Sequence, residues 1–218
     1  MNRRTKSHTM QRIRETAESF FENARGSHGW DHTLRVYHLC ERMGPEENAD
    51  MEVLCIAALL HDIGRGEQDE SRGRLCHARV GADLARPIVA GLNLEADQKE
   101  NILHCIRAHR FRGDSVPRTR EAEVLFDADK LDAIGAVGVA RAYLFAGEIG
   151  ARLHNPEIDV AVSAAYSRDD TGYREFKVKL SRIKDRMLTE TGRRVARERH
   201  AFMEAFFERF LAECTGTK

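Results

Sequence analysis

The feature that most limits what this chain can become is its periodicity. Along nearly all of its length apolar residues return at steps of three and four, the repeat of one face of an α-helix. Ile13, Ala17, Phe20, Phe21 and Ala24 form a first stripe, ended by Gly26. Leu34, Val36, Leu39, Cys40 and Met43 form a second. Gly44-Pro45 is expected to close it, because proline brings no amide proton to a continuing helix. A third runs through Val53, Leu54, Ala57, Ala58 and Leu60 and stops near Gly64. Further stripes lie at Val80 to Ile88 and Ile102 to Ile106, and a longer helical segment runs from about Glu121 to Ala146. Two amphipathic stretches, Phe176 to Leu188 and Val195 to Leu211, complete the pattern. No alternating run of strand type is present, and no Asn-Gly or Asp-Gly hairpin signal joins such runs. The pattern predicts an all-α fold. Composition shifts after His154-Asn155-Pro156. This places a core over residues 1–150 and a C-terminal helical extension over residues 151–218, expected to pack on the same domain.

Charge and cysteine usage narrow the setting. Lys plus Arg equals Asp plus Glu at 35 each, so the formal net charge is zero. Neither a nucleic-acid polymer nor an anionic membrane is called for as a partner. The apolar run that ends at Leu60 is far too short to span a bilayer. The segment MNRRTKSHTMQRIRE is polar and lacks the apolar stretch of a secretory signal. Five cysteines, odd in number and with no close pair, read as small buried thiols in a reducing cytoplasm. The stripe from Phe206 to Leu211 fits either a core or the seam of a homodimer.

Ten histidines raise the question of a metal. His61 follows Leu54, Ala57 and Ala58 at spacings of seven, four and three, so it shares their inner face. Asp62 then stands at the C-terminal end of that helix, where the macrodipole disfavours an anion. A carboxylate set against that field beside a core face needs a compensating cation. His32 lies on the face of Val36, Leu39, Cys40 and Met43. Asp129 lies with Leu125, Asp132, Ala136 and Tyr143. Two imidazoles and two carboxylates form a borderline N/O ligand set, suited to Mn, Fe, Mg, Ni or Zn and unlike a thiolate site. His77 shares a face with Val80, Gly81, Leu84 and Ile88, and His109 shares one with Ile102, Cys105 and Ile106. His104 falls instead with Asp97, Asn101 and Ala108, a more polar face. His38, His154 and His200 read as structural or solvated.

The ordered set resembles the HD-domain phosphohydrolase family. The likeness rests on His28-Gly29-Trp30-Asp31-His32 with Arg35-Val36, Ala57 to Gly64, Ile106 to Phe111, Asp127 to Gly135, and Thr189 to Arg193. It covers most of the chain and looks closest to a bacterial subgroup that includes nucleoside triphosphate pyrophosphohydrolases. The resemblance implies an HD-type helical bundle with one divalent cation held by His32, His61, Asp62 and Asp129. It implies hydrolysis of a phosphoester or phosphoanhydride in a nucleotide or similar small phosphorylated metabolite. The ion would polarise a phosphoryl oxygen and bring the pKa of a water from about 16 toward roughly 7. Asp62 would also orient that water, and Arg65 and Lys130 would neutralise phosphate oxygens. The order His32, His61-Asp62, His77, His109, Asp129 is also similar to the six-ligand pattern of binuclear HD proteins. A second metal would be bound through His77 and His109; with one ion, those two would donate to phosphate instead. The segment Gly64 to Leu75, which carries Arg65, Arg72 and Arg74, reads as a loop able to close over a phosphate. Two other functions compete: a di-iron oxygenase, which needs both His77 and His109 as ligands, and a non-catalytic module that binds nucleotide or metal.

Overall fold

A computed structural model describes residues 3–22, 29–110, 115–156, 159–160 and 162–218. Ala24, Gly26, His28 and Phe111 of the sequence reading lie outside the described residues. Among the described residues the regular structure is entirely helical. In chain order the α-helices are α1 (Arg3–Ser19), α2 (Trp30–Glu46), α3 (Met51–Leu60), α4 (Arg65–Glu70), α5 (His77–Ala90), α6 (Ala96–Ala108), α7 (Arg120–Leu131), α8 (Gly135–Glu148), α9 (Gly172–Val178) and α10 (Glu190–Cys214). A 3-10 stretch, Leu180–Arg186, stands between α9 and α10. The chain divides into two compact units, Met1–Asp129 and Lys130–Lys218.

In the first unit α3 is the hub. Every residue from Val53 to Leu60 is buried, and a helix that is apolar all round can only sit inside. Helices α1, α2 and α6 pack on it, α5 packs along α6, and α4 along α5. Asp50 starts α3 by accepting from the amides of Glu52 at 3.0 Å and Val53 at 3.3 Å, which satisfies two of the orphan donors of a helix N-terminus. Glu121, near the start of α7, is buried and ties α7 to both neighbours. Its Oε1 accepts from the Asp50 amide at 2.7 Å, and its Oε2 accepts from Asn101 Nδ2 at 2.9 Å. That network sets where α7 begins, and therefore where Asp129, a little over two turns later, ends up.

Three segments depart from the periodic pattern. Helix α2 does not stop at Gly44-Pro45 but runs to Glu46. A Cβ at Gly44 would collide with Met51 and Leu54, so the glycine allows the last turn to lie against α3. The Ala49 amide then closes that end on the Gly44 carbonyl at 3.0 Å. The Gly64–Leu75 segment, read as a loop, contains α4. Phe176 to Leu188 is not one helix but the end of α9 followed by the 3-10 stretch, with the break at Lys179.

In the second unit α8 and α9 pack together, α10 packs on α8, and the 3-10 stretch contacts α9 and α10. Its core holds Phe176 and Phe207, stacked with ring centroids 4.6 Å apart, beside Val195, Ala196 and Met203. The long helical segment from Glu121 to Ala146 is interrupted between Leu131 and Gly135. Gly135 takes φ +79°, a left-handed conformation that costs glycine little. The expected common face of Asp129, Asp132, Ala136 and Tyr143 is broken there. Asp132 is buried and pairs with Arg141 at 2.6 Å.

Candidate metal centre

All the histidines read as inward-facing converge in the first unit. His32 comes from α2, and His61 and Asp62 from the end of α3. His77 is the first residue of α5, His109 caps the end of α6, and Asp129 lies in the last turn of α7. His32, His61, Asp62, His77 and His109 are buried, and Asp129 is 18% exposed. His32 Nε2 lies 3.4 Å from His61 Nε2, 3.3 Å from Asp129 Oδ1 and 3.7 Å from Asp62 Oδ2. Asp62 Oδ1 turns the other way, 3.5 Å from His77 Nε2 and 3.6 Å from His109 Nε2. His77 Nε2 and His109 Nε2 are 3.1 Å apart.

The donors fall into two overlapping groups, each with its donor atoms within 4.8 Å of one another: His32, His61 and Asp129, and His61, Asp62 and His109. The quartet read from the sequence is thus spread over both. Asp62 stands between them with one carboxylate oxygen toward each.

Backbone and side-chain acceptors fix which ring nitrogen faces inward. His61 Nδ1 donates to the Ala58 carbonyl at 2.8 Å, and His109 Nδ1 donates to the Ile106 carbonyl at 2.7 Å. Both contacts follow from a histidine at the end of its helix reaching back three residues to an orphan carbonyl. His77 Nδ1 donates to Gln68 Oε1 at 2.8 Å, and the same oxygen accepts the His77 amide at 3.3 Å. With Nδ1 carrying the proton, the neutral ring presents its lone pair at Nε2. Close approach of α5 to the turn after α3 makes this possible. A Cβ at Gly64 would collide with the His77 carbonyl and the backbone of Gly81.

Burial keeps the His61 and His77 rings neutral. Burial drives His61 down to about 4; the Asp62 carboxylate opposes that, and His109 and His32 add to it. Burial likewise drives His77 to about 2, against the pull of Asp62. Burial alone would raise Asp62. The Arg65 guanidinium outweighs it and holds the carboxyl well below the usual range. Arg65 Nη2 lies 3.0 Å from each Asp62 oxygen.

These residues fit a divalent cation. Neutral imidazoles with acceptor-bound Nδ1 atoms are the state in which histidine binds metal. Nitrogen and carboxylate donors 3.3 to 3.7 Å apart are spaced like neighbouring ligands that each lie about 2.1 Å from one ion.

Arg65 is thus placed on the centre. Lys130 is the residue after Asp129, half-buried in the last turn of α7, and the first residue of the second unit. His104 lies elsewhere, accepting from the Arg118 amide at 3.0 Å. His38 is exposed beside Glu41, and His200 is buried 3.3 Å from Glu204. Sequence reasoning missed Gln68 and Glu121. Gln68 sits in a six-residue helix with no apolar stripe, so no periodic signal marks it.

Comparison with known proteins places the fold. A family model described as the HD domain matches residues 29–134. The chain is 30% identical over 210 residues to the protein YpgQ of Bacillus subtilis (strain 168), covering 94% of each. The crystal structure of Bacillus subtilis YpgQ in complex with ADP is similar at a TM-score of 0.71 and 31% identity, over 94% of this chain and 96% of that one. That of an HD-superfamily hydrolase from Bacillus thuringiensis is similar at a TM-score of 0.74 and 25% identity, over 96% of this chain and 98% of that one. The match of the HD-domain model to residues 29–134, together with a likeness to YpgQ that runs nearly end to end, shows that this chain belongs to the HD-domain family.

Proposed function

We propose that the chain is a metal-dependent phosphohydrolase acting on a nucleotide or similar small phosphorylated metabolite, with one divalent cation held by His32, His61, Asp62 and Asp129. The observation that carries this reading is the meeting of His32 Nε2 with His61 Nε2 at 3.4 Å and with Asp129 Oδ1 at 3.3 Å. When bound, the ion supplies Lewis acidity toward a phosphoryl oxygen and toward water. The chain's own residues do the rest. Asp62, anionic through its neighbours, accepts a proton-bearing partner and orients a water toward phosphorus. Arg65 brings a planar, permanently charged donor to phosphate oxygens. Lys130, adjoining Asp129 in sequence, is the other cation assigned to phosphate. His77 and His109 border the phosphate side of Asp62. A nucleotide is favoured as substrate because YpgQ, similar over nearly the whole chain, has been crystallised in complex with ADP.

The test is an assay of phosphate and pyrophosphate release from a panel of nucleoside mono-, di- and triphosphates with added Mn, Mg, Ni or Co. Turnover should fall by more than about 100-fold in Asp62→Ala and stay unchanged in His104→Ala. Absence of turnover with every metal, despite nucleotide binding, would favour the non-catalytic module. Two irons with oxygen consumption would favour the oxygenase.

A further inference from the structure

We propose that the Arg65 guanidinium is the resident positive charge of the second half of the centre and holds the chain to a single divalent ion. This rests on the metal reading above. His77 Nε2, His109 Nε2 and Asp62 Oδ1 lie 3.1 to 3.6 Å from one another. By donor type and spacing they could take a second ion. Arg65 reaches into this group: its Nη2 is 3.0 Å from Asp62 Oδ1, 3.0 Å from Asp62 Oδ2 and 3.4 Å from His77 Nε2. Its Nε adds a bond to Asp62 Oδ2 at 3.3 Å.

Three physical points follow. The side chains of Asp62 and His109 are 1% exposed and that of His77 5%, so water screens little between Arg65 and an ion placed among them. Arginine does not give up its proton, so this repulsion has no relief short of moving the side chain away. Asp62 is the only carboxylate in that donor group, and Arg65 already uses both of its oxygens. A lysine in this place would be a mobile point charge, whereas the guanidinium fork is fixed by its bonds to Asp62. Arg65 Nη1 makes no hydrogen bond among the described residues, and the side chain is 16% exposed. The same guanidinium can therefore hold Asp62 with one edge and meet a phosphate oxygen with the other.

The experiment counts ions. The full chain, stripped with chelator, is dialysed against excess Mn²⁺ and its metal content measured, alongside paramagnetic resonance to detect spin-coupled Mn pairs. Wild type should hold one ion per chain with no coupled signal. Arg65→Met should hold two and show the coupled signal. Arg65→Met combined with His109→Ala should return to one, and Arg65→Lys, which keeps the charge, should hold fewer than Arg65→Met. Circular dichroism checks folding; if the Met variant does not fold, Arg65→Gln gives the same reading. One ion in a folded, neutral Arg65 variant overturns the proposal. So do two ions in wild type, whatever the variants do. No ion in wild type defeats the metal reading itself and this proposal with it.

Discussion

His61 carries the clearest residue-level consequence. Its Nδ1 is committed to Ala58 and its Nε2 faces His32, so His61→Ala removes a ligand without freeing a substitute. An ion at 100 times its dissociation constant stabilises a folded protein by about 2.7 kcal/mol. Saturating Mn²⁺ should therefore raise the melting temperature of wild type and leave that of His61→Ala unmoved, as calorimetry would read directly. Gln68→Leu should weaken ion-independent ordering of His77, seen as a shift of the His77 ring resonances while those of His61 stay in place. The thiols give a separate check. Cys40, Cys55 and Cys105 are buried, Cys76 is half-buried and Cys214 is exposed. Burial raises the first three, whereas hydrogen bonds from the Arg79 amide and Arg110 outweigh burial and lower Cys76. An aromatic disulfide reagent at pH 8 should label Cys76 and Cys214 quickly and the others only after unfolding. His32 and His61 were legible in the sequence because each stands at helical offsets from apolar residues, His32 before Val36 and Leu39 and His61 after Leu54 and Ala57. His77 and His109 were legible as inward-facing but not as neighbours, since they come from different helices and only packing brings them to 3.1 Å.

At the scale of elements, α7 shows how far a local pattern reaches. Its apolar stripe predicts the helix, but the residue that anchors it, Glu121, looks like any charged surface position. Glu121→Ala would leave the Asp50 amide and Asn101 Nδ2 without their acceptor. Both bonds are only partly buried, and an ordinary hydrogen bond contributes about 0.5–1.5 kcal/mol, so urea unfolding should show a loss of about 1–3 kcal/mol. Because Asp129 rides on the same helix, ion affinity should fall as well. The boundaries of α2, α4 and α7 escaped sequence reading for one shared reason. Each is set by a tertiary partner: Met51 and Leu54 against Gly44, the His77 side chain held by Gln68, and the Arg199 side chain lying against Gly135.

For the molecule as a whole, pH and metal give the broadest tests. Burial pushes the Cys55 thiol up to about 11 from 9.0, and burial raises Cys40 as well. An unfolded chain would lose these protons first, so the folded state binds more protons between about pH 9 and 11 and stability falls as pH rises through that window. Denaturant midpoints of the metal-free protein at pH 8.5 and 10.5 should show the decline. The all-α class and the inward-facing His32, His61, His77 and His109 were readable because helical phase dictates which side chains share a face, whereas the face expected to join Asp129 to Asp132, Ala136 and Tyr143 is broken before Gly135. The division at Asp129 and the two overlapping donor groups were not, because they depend on how helices distant in sequence meet. No helix among the described residues is long and apolar enough to cross a membrane. The most direct test of the shared-cation centre is anomalous diffraction from crystals grown with Mn²⁺. A peak should appear within about 2.0–2.3 Å of the Nε2 atoms of His32 and His61 and of the carboxylates of Asp62 and Asp129. Crystals saturated with Mn²⁺ that show no peak there, or one only at surface carboxylates, would contradict it.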